Sequence, residues 1–342
     1  MAPRIVPPVS GGPLSILKSA GKKSRVGVVA GRIGVERARD VRRLMGRRDG
    51  PMGATHRRFD LEGSLSYIDA VFADYLTYGG LDRADLAGAR VLELGPGDSL
   101  GVAIRFVAAG ADRVVAADRF VPYRDLDYEH QVYAALIERL PAEERERVAS
   151  ITAGKETNFD DVPLEFVPET PIEAAPSVLG TEEFDLIVSR AVLEHVHDLD
   201  TAFDSMDRLL RPAGTMIHKV DLRDHGLFTD GGQNALTFLT IDDRVYRWMG
   251  EESAGLPNRR MIGWYERTLI RLGYASELLV THLAGVEEEL EPHVPLGEGL
   301  PPNARVDVLA SIRPRLLERY RAMSDAELSI AGFMVVTRKP AV

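Results

Sequence analysis

The hydrophobic period of the chain changes several times, and each change marks an element. Residues 64–77 place Leu65, Ile68, Val71, Phe72, Tyr75 and Leu76 at the three- and four-residue intervals of an amphipathic helix, which Gly79-Gly80 ends. Beyond it, short apolar runs alternate with helical stretches. The pattern predicts strands at 90–94, 113–118, 164–167, 184–189, 215–221, 276–282 and 330–339. Helices are predicted at 99–110, 128–140, 198–210, 241–250, 263–272 and 311–323, a turn at Arg211–Gly214, and a loop over 285–305. Several of the strands are apolar throughout, as strands covered on both faces are, and the helical crossovers imply a mostly parallel, doubly wound α/β sheet of seven strands.

The first 60 residues break this pattern. Prolines and glycines punctuate the start, and a short helix is predicted over 34–48, with Ala38, Val41 and Met45 on a narrow apolar stripe among arginines. This segment holds 14 of the 42 Lys/Arg and only 4 of the 52 Asp/Glu, so a basic leader precedes an acidic body in a chain of net charge -10. An acidic body makes a poor phosphate-binding groove, so no nucleic-acid partner is expected. The leader suits either peripheral contact with an anionic surface through residues 1–50 or docking on the body. The 342 residues include no cysteine, which excludes disulfides, thiolate zinc sites and cysteine nucleophiles. No apolar run reaches the ~18 residues of a membrane span, and a cytoplasmic protein is expected. Three regions follow: a basic extension over 1–60, an α/β core over 61–225, and a C-terminal part over 226–342 that completes the sheet and carries insertions.

The chemistry concentrates in VLELGPGDSLG, residues 91–101. A strand runs into Glu93-Leu94-Gly95-Pro96-Gly97, and a helix follows. Glycines at that turn let backbone approach a ligand, and the free N–H groups of the next helix favour an electronegative group. Asp118, at the end of the second strand, is placed to accept hydrogen bonds from both hydroxyls of a ribose. Together they point to a cofactor containing a nucleoside. Gly95, Gly97 and Gly101 form G-x-G-x-x-x-G rather than the dinucleotide fingerprint G-x-G-x-x-G, and Glu93 stands two places before the first glycine.

In this acidic-x-Gly-x-Gly motif the sequence resembles the class I, Rossmann-like S-adenosylmethionine-dependent methyltransferases, over about residues 64–225. The resemblance implies S-adenosylmethionine as cofactor, with Glu93, Gly95, Pro96 and Gly97 at its methionine end and Asp118 on its ribose. It also implies Thr170, Ile172 or Glu173 near the adenine, and Ser189, Arg190 and Ala191 beside the transferable methyl. The last loop lacks the Asp/Asn-Pro-Pro-aromatic form of enzymes that methylate DNA bases.

A hydroxyl acceptor needs a group to take its proton. His225 in HKVDLRDH is the first candidate, because a neutral imidazole suits the task, with Asp221 or Asp224 to orient it. His195 in the stretch LEHV suits packing or orientation, and His218, inside the fifth strand, reads as a core histidine. No metal is expected, although Asp198, Asp221, Asp224 and the histidines offer ligands for a Mg2+-like ion. Asn258, Arg259 and Arg260, ahead of Trp264 and Tyr265, are candidates for binding the acceptor or for pairing with the acidic body. The expected reaction is methylation of a small-molecule or glycan/glycolipid acceptor at a hydroxyl oxygen. The alternatives are a methyltransferase-like binding module without turnover and a nicotinamide-dependent oxidoreductase.

Overall fold

The computed structural model describes residues 24–44, 56–122, 124–181, 183–250, 255–297 and 299–341. The proline- and glycine-rich start and the stretch 45–48 of the expected basic helix, Met45 included, lie outside them.

Five parallel strands form the heart of the sheet: β1 (Arg90–Leu94), β2 (Arg113–Ala117), β3 (Leu164–Val167), β4 (Phe184–Arg190) and β5 (Leu210–Asp221). Three more, β6 (Ala275–Leu283), β7 (Val294–Pro295) and β8 (Ile330–Arg338), extend it in the order β3-β2-β1-β4-β5-β8-β6-β7. β8 runs antiparallel to both β5 and β6 and lies between them. The seven predicted strands are present. The eighth is the two-residue β7, too short to carry a periodicity, in the stretch expected to be loop.

Strand parity sends Val91, Val114, Leu186, Val188 and Ile217 into one core and Leu92, Val115, Ile187 and Met216 into the other. Helices α2 (Leu61–Gly79), α3 (Gly101–Ala108) and α4 (Leu126–Glu138) cover the first face, while α5 (Leu199–Leu209) and α6 (Ile262–Leu272) cover the second. Asp60 caps α2 by accepting from Gly63 N, and Gly80, at φ 60°, closes it. The turn expected at Arg211–Gly214 is an irregular start to β5. Leu210 pairs with Phe184 and Thr215 with Leu186, so the intervening residues bulge out, with Ala213 at positive φ. The helix expected over 311–323 breaks into Val306–Ile312, a single turn at Arg313–Arg315, and Glu318–Arg321, because Pro314 has no N–H to continue it.

Helix α1 (Arg25–Leu44) begins nine residues earlier than the predicted basic helix. Ser24 caps it, its hydroxyl 3.1 Å from Gly27 N, and tertiary contacts outweigh the poor helix propensity of its valines and glycines. Val28 is buried, Arg25 donates to Thr240 Oγ1 at 3.0 Å, and Arg32 donates to the Met249 carbonyl at 3.0 Å. Its buried side is therefore the one bearing Val28 and Glu36, whereas Ala38 and Val41 of the expected stripe are exposed. Among the described residues no helix is long and apolar enough to cross a membrane.

Candidate active site

The parallel strands end together, with Leu94 opposite Ala117 and Ser189, and Arg190 opposite Lys219. At this edge Gly95 and Gly97 adopt φ of 65° and 67°, left-handed conformations that make the turn into α3. A Cβ on Gly95 would stand 2.5 Å from Val192 Cγ2, so the bend after β1 is packed tightly against the loop after β4. Asp118 spans the turn, accepting from Phe120 N at 2.8 Å and Gly97 N at 3.3 Å. Its carboxyl is raised above the usual range by burial.

Glu93 and Arg190 share the sheet face that α2 covers. A pocket there is bounded by Glu93, Gly95, Pro96, Tyr67, Tyr75 and Arg190, among others. Burial pushes the Glu93 carboxyl up to about 8; the Ala103 N–H works against this and the charge of Asp118 with it. Glu93 Oε2 is buried with no hydrogen-bond partner. An orphaned carboxylate oxygen beside a glycine turn fits the ammonium of a methionine, and the Asp118 carboxyl fits a ribose diol.

The pocket also uses residues that carry no local signal in the sequence. His56 lines it and meets Tyr67 edge-on, with ring centroids 5.4 Å apart. Asp98, in the glycine turn, accepts from His56 N at 3.2 Å and Arg57 N at 3.3 Å, which straps the chain before α2 across the turn. Arg190 lies over the Tyr67 ring at 5.4 Å and donates to Asp74 Oδ2 at 2.8 Å. Lys219 donates to the same oxygen at 2.8 Å. Burial alone would raise the Asp74 carboxyl, but Lys219 and Arg190 hold it below the usual range.

Other expected site residues are placed differently. Ser189 is turned to the opposite face, where its hydroxyl is 2.8 Å from His218 Nδ1 and buried, so its side chain is not at the cofactor. His218 is a core histidine, pushed down to about 3 by burial. Thr170 is buried and donates its hydroxyl to the Pro168 carbonyl at 3.2 Å; its N–H donates to the Asp118 carbonyl at 2.8 Å. Ile172 is buried in the core below the same loop, in the short helix Ile172–Ala174 that contains Glu173.

His195 and His225 come together after β4 and β5, with ring centroids 5.0 Å apart. Burial pushes His195 down to about 4, aided by the adjacent His225, and burial also lowers His225. Asp221 lies 4.0 Å from His225 Nδ1 but is clamped by two bonds from Arg223, at 2.9 and 2.7 Å. Asp224 does not orient His225. It accepts from Gly226 N, Phe228 N, Thr229 N and Thr229 Oγ1 at 2.7–3.1 Å, which makes it the internal brace of its own loop. Asp198 caps α5 through Thr201, which accounts for it structurally.

The Asn258–Arg260 cluster is also largely scaffolding. Asn258 Nδ2 donates to the Leu193 and Val196 carbonyls, both at 2.8 Å, and pins the loop that carries His195. Arg259 is buried over the Tyr246 ring and donates to the Ile241 carbonyl at 2.8 Å and Asp243 at 2.7 Å.

A family model described as a methyltransferase domain matches residues 65–267. The chain belongs to this methyltransferase family. The match covers β1 to β5 and the turns built on them, and the cofactor of this methyltransferase is S-adenosylmethionine. Family membership and the Glu93 position together set aside a nicotinamide cofactor. A search of curated proteins returns no match. Similar solved structures include an S-adenosylmethionine-dependent methyltransferase from Mesorhizobium loti, 16% identical over 82% of this chain and 100% of that one, with a TM-score of 0.39. Another is phosphoethanolamine N-methyltransferase 2 from Haemonchus contortus in complex with S-adenosyl-L-methionine, at 15%, 84%, 58% and 0.42. A third is an arsenic(III) S-adenosylmethionine methyltransferase from Chlamydomonas reinhardtii, at 18%, 79%, 72% and 0.39.

Proposed function

We propose that this methyltransferase methylates a hydroxyl oxygen of a small polar molecule or glycan-type acceptor. The observation that carries the reading is the pair His195–His225 at the carboxyl edge of the sheet, both held neutral by burial, with the His225 ring still partly exposed. A neutral imidazole at this edge suits an acceptor that must lose a proton as it reacts. When bound, the cofactor supplies an electrophilic methyl on a sulfonium, a leaving group that needs no protonation.

The chain's own residues then have separable duties. Glu93 and the Gly95–Gly97 turn hold the amino-acid end, Asp118 holds the ribose, and Arg190 stands at the methionine side of the pocket. Thr170 and Ile172 shape the adenine end from the loop after β3. His225 would take the proton of the acceptor hydroxyl as that oxygen receives the methyl that the bound cofactor would supply. Asp221, across from it, favours the imidazolium that results. Residues 226–342 carry the acceptor side; from the basic N-terminal extension over 1–60, Val28 packs into the core and His56 lines the pocket.

The test is transfer of labelled methyl to a panel of sugars, phenols, amines and carbon acids, with the product's methylated atom read by NMR. A methyl ether supports the reading. A product methylated on nitrogen or carbon, or cofactor binding without turnover on any acceptor, sinks it. Attachment to an anionic surface through residues 1–50 belongs to the same proposal. Val26, Val35 and Val41 of α1 are exposed in an arginine-rich helix, and sedimentation with anionic vesicles tests it.

A further inference from the structure

We propose that Glu194, His195 and His225 form a binding site for one divalent first-row transition-metal ion on the acceptor side of the methyl-transfer site. One ligand atom from each residue lies within 4.8 Å of the other two. Donors bound to a common ion at ~2.1 Å stand roughly 3.0–3.5 Å apart, so small side-chain rotations close the set.

The buried carboxyl is the strongest part of the argument. Glu194 is fully buried, and neither of its side-chain oxygens has a hydrogen-bond partner. Burying a carboxyl without a partner is costly, and a coordinated cation removes that cost. Burial first, and then the charge of Asp221, push this carboxyl well above its ordinary range, against the weaker pull of the Glu194 and Asp221 N–H groups and the Arg223 charge. The neighbouring guanidinium of Arg223 is engaged by Asp221.

The two histidines have ligand character as well. His195 Nδ1 lies 3.2 Å from the Leu256 carbonyl oxygen, so Nδ1 carries the hydrogen and Nε2 keeps its lone pair. A backbone carbonyl behind one ring nitrogen is the usual support for an imidazole that binds metal through the other. His225 opens to solvent and gives an ion its way in. The loop is held in place by Asn258, whose N–H donates to the Glu194 carbonyl at 2.6 Å.

A second carboxylate–histidine group, Asp74, Glu289 and His293, makes a useful contrast. There the Lys219 ammonium contacts both carboxylates, so the cationic position is already filled by the protein. No lysine or arginine forms an ion pair with Glu194 among the described residues.

Two imidazole nitrogens and one carboxylate favour Mn2+, Fe2+, Co2+ or Zn2+ over Mg2+ or Ca2+. Three protein ligands leave coordination positions for an oxygen of the acceptor. In the ion-bound form His225 is a ligand and no longer the base proposed above: the ion would acidify the acceptor hydroxyl and water would take its proton. This use of the site rests on the hydroxyl reading above; the existence of the site does not.

The experiment uses the full chain without an affinity tag, stripped with a chelator. Mn2+ is titrated and followed by loss of its free EPR signal, and Zn2+ is titrated in a calorimeter. One ion per chain is expected. Glu194→Gln, nearly isosteric and neutral, and His225→Ala should each weaken uptake at least tenfold while leaving S-adenosylhomocysteine binding in place. Absence of stoichiometric uptake by the wild type overturns the site, as does uptake unchanged in both variants. Uptake lost only in Asp74→Asn also overturns it, by assigning the ion to the other cluster. One-to-one binding blocked by both variants, together with methylation on nitrogen or carbon, supports the site and sinks only the hydroxyl reading.

Discussion

His195 donates its Nδ1 hydrogen to the carbonyl of Leu256, 3.2 Å away across 61 residues of sequence, and this contact leaves the ring's lone pair on Nε2. The tautomer is thus fixed by a segment distant in sequence, the same one in which Asn258 pins the Leu193 and Val196 carbonyls. Asn258→Ala should destabilise the protein by about 1–3 kcal/mol, because two buried carbonyls lose a donor. It should also lower turnover more than it weakens cofactor affinity. Denaturant melts and paired kinetic and calorimetric measurements check this; equal losses in both would assign Asn258 to the cofactor pocket instead.

Asp118→Ala should weaken binding of S-adenosylhomocysteine by roughly 10- to 100-fold, the loss expected when charge-assisted hydrogen bonds to a diol disappear. Isothermal titration reads the effect directly. Unchanged affinity would remove Asp118 from the site.

Glu93 gives a pH dependence with a definite sign. Its carboxyl titrates near 8 in the free protein, yet it must be ionised to hold an ammonium. Cofactor binding should therefore tighten from pH 6 to 8 and release a proton, measurable as a heat that varies with the buffer's ionisation enthalpy. Glu93→Gln should abolish the released proton. The free fold behaves oppositely: the folded state holds this proton when the unfolded chain has lost it, so the contribution to stability falls as pH rises from about 4.5 to 8. Glu194, raised in the same direction, adds to that slope. Melting temperatures of the free protein across this range check the sign.

Asp224→Ala should lower stability by about 1–3 kcal/mol and loosen the 224–229 loop, whereas His225→Ala should abolish turnover while retaining cofactor affinity. The two adjacent substitutions separate a brace from a reacting group. An active, unstable His225→Ala protein would reverse these roles.

Local chemistry made the Gly95–Gly97 turn and Asp118 stand out as candidates for the cofactor half of the site. The strand, glycine turn and helix at 90–108 and the aspartate ending β2 are contiguous signals, each tied to one backbone requirement. The hand of Ser189 was not readable, because parity within β4 matters only once its pairing with His218 across β5 is known. His56, Asp74 and Asn258 act on partners 42 to 145 residues away, and no spacing rule reaches that far. Asp224 did carry a clue. An aspartate two residues before a glycine favours accepting from its own turn, and that local bonding occupies the Asp224 carboxylate. In α1, Ser24 was the missed start signal, masked by valines and glycines of poor helix propensity that follow it.

The position of β8 has a consequence for how the chain is made. Until residue 338 leaves the ribosome, β5 has an open edge and β6 has no neighbour through which to join the parallel strands. The cofactor half can gather during synthesis before β8 emerges, and the exposed flank of β5 is where a chain lacking β8 would aggregate.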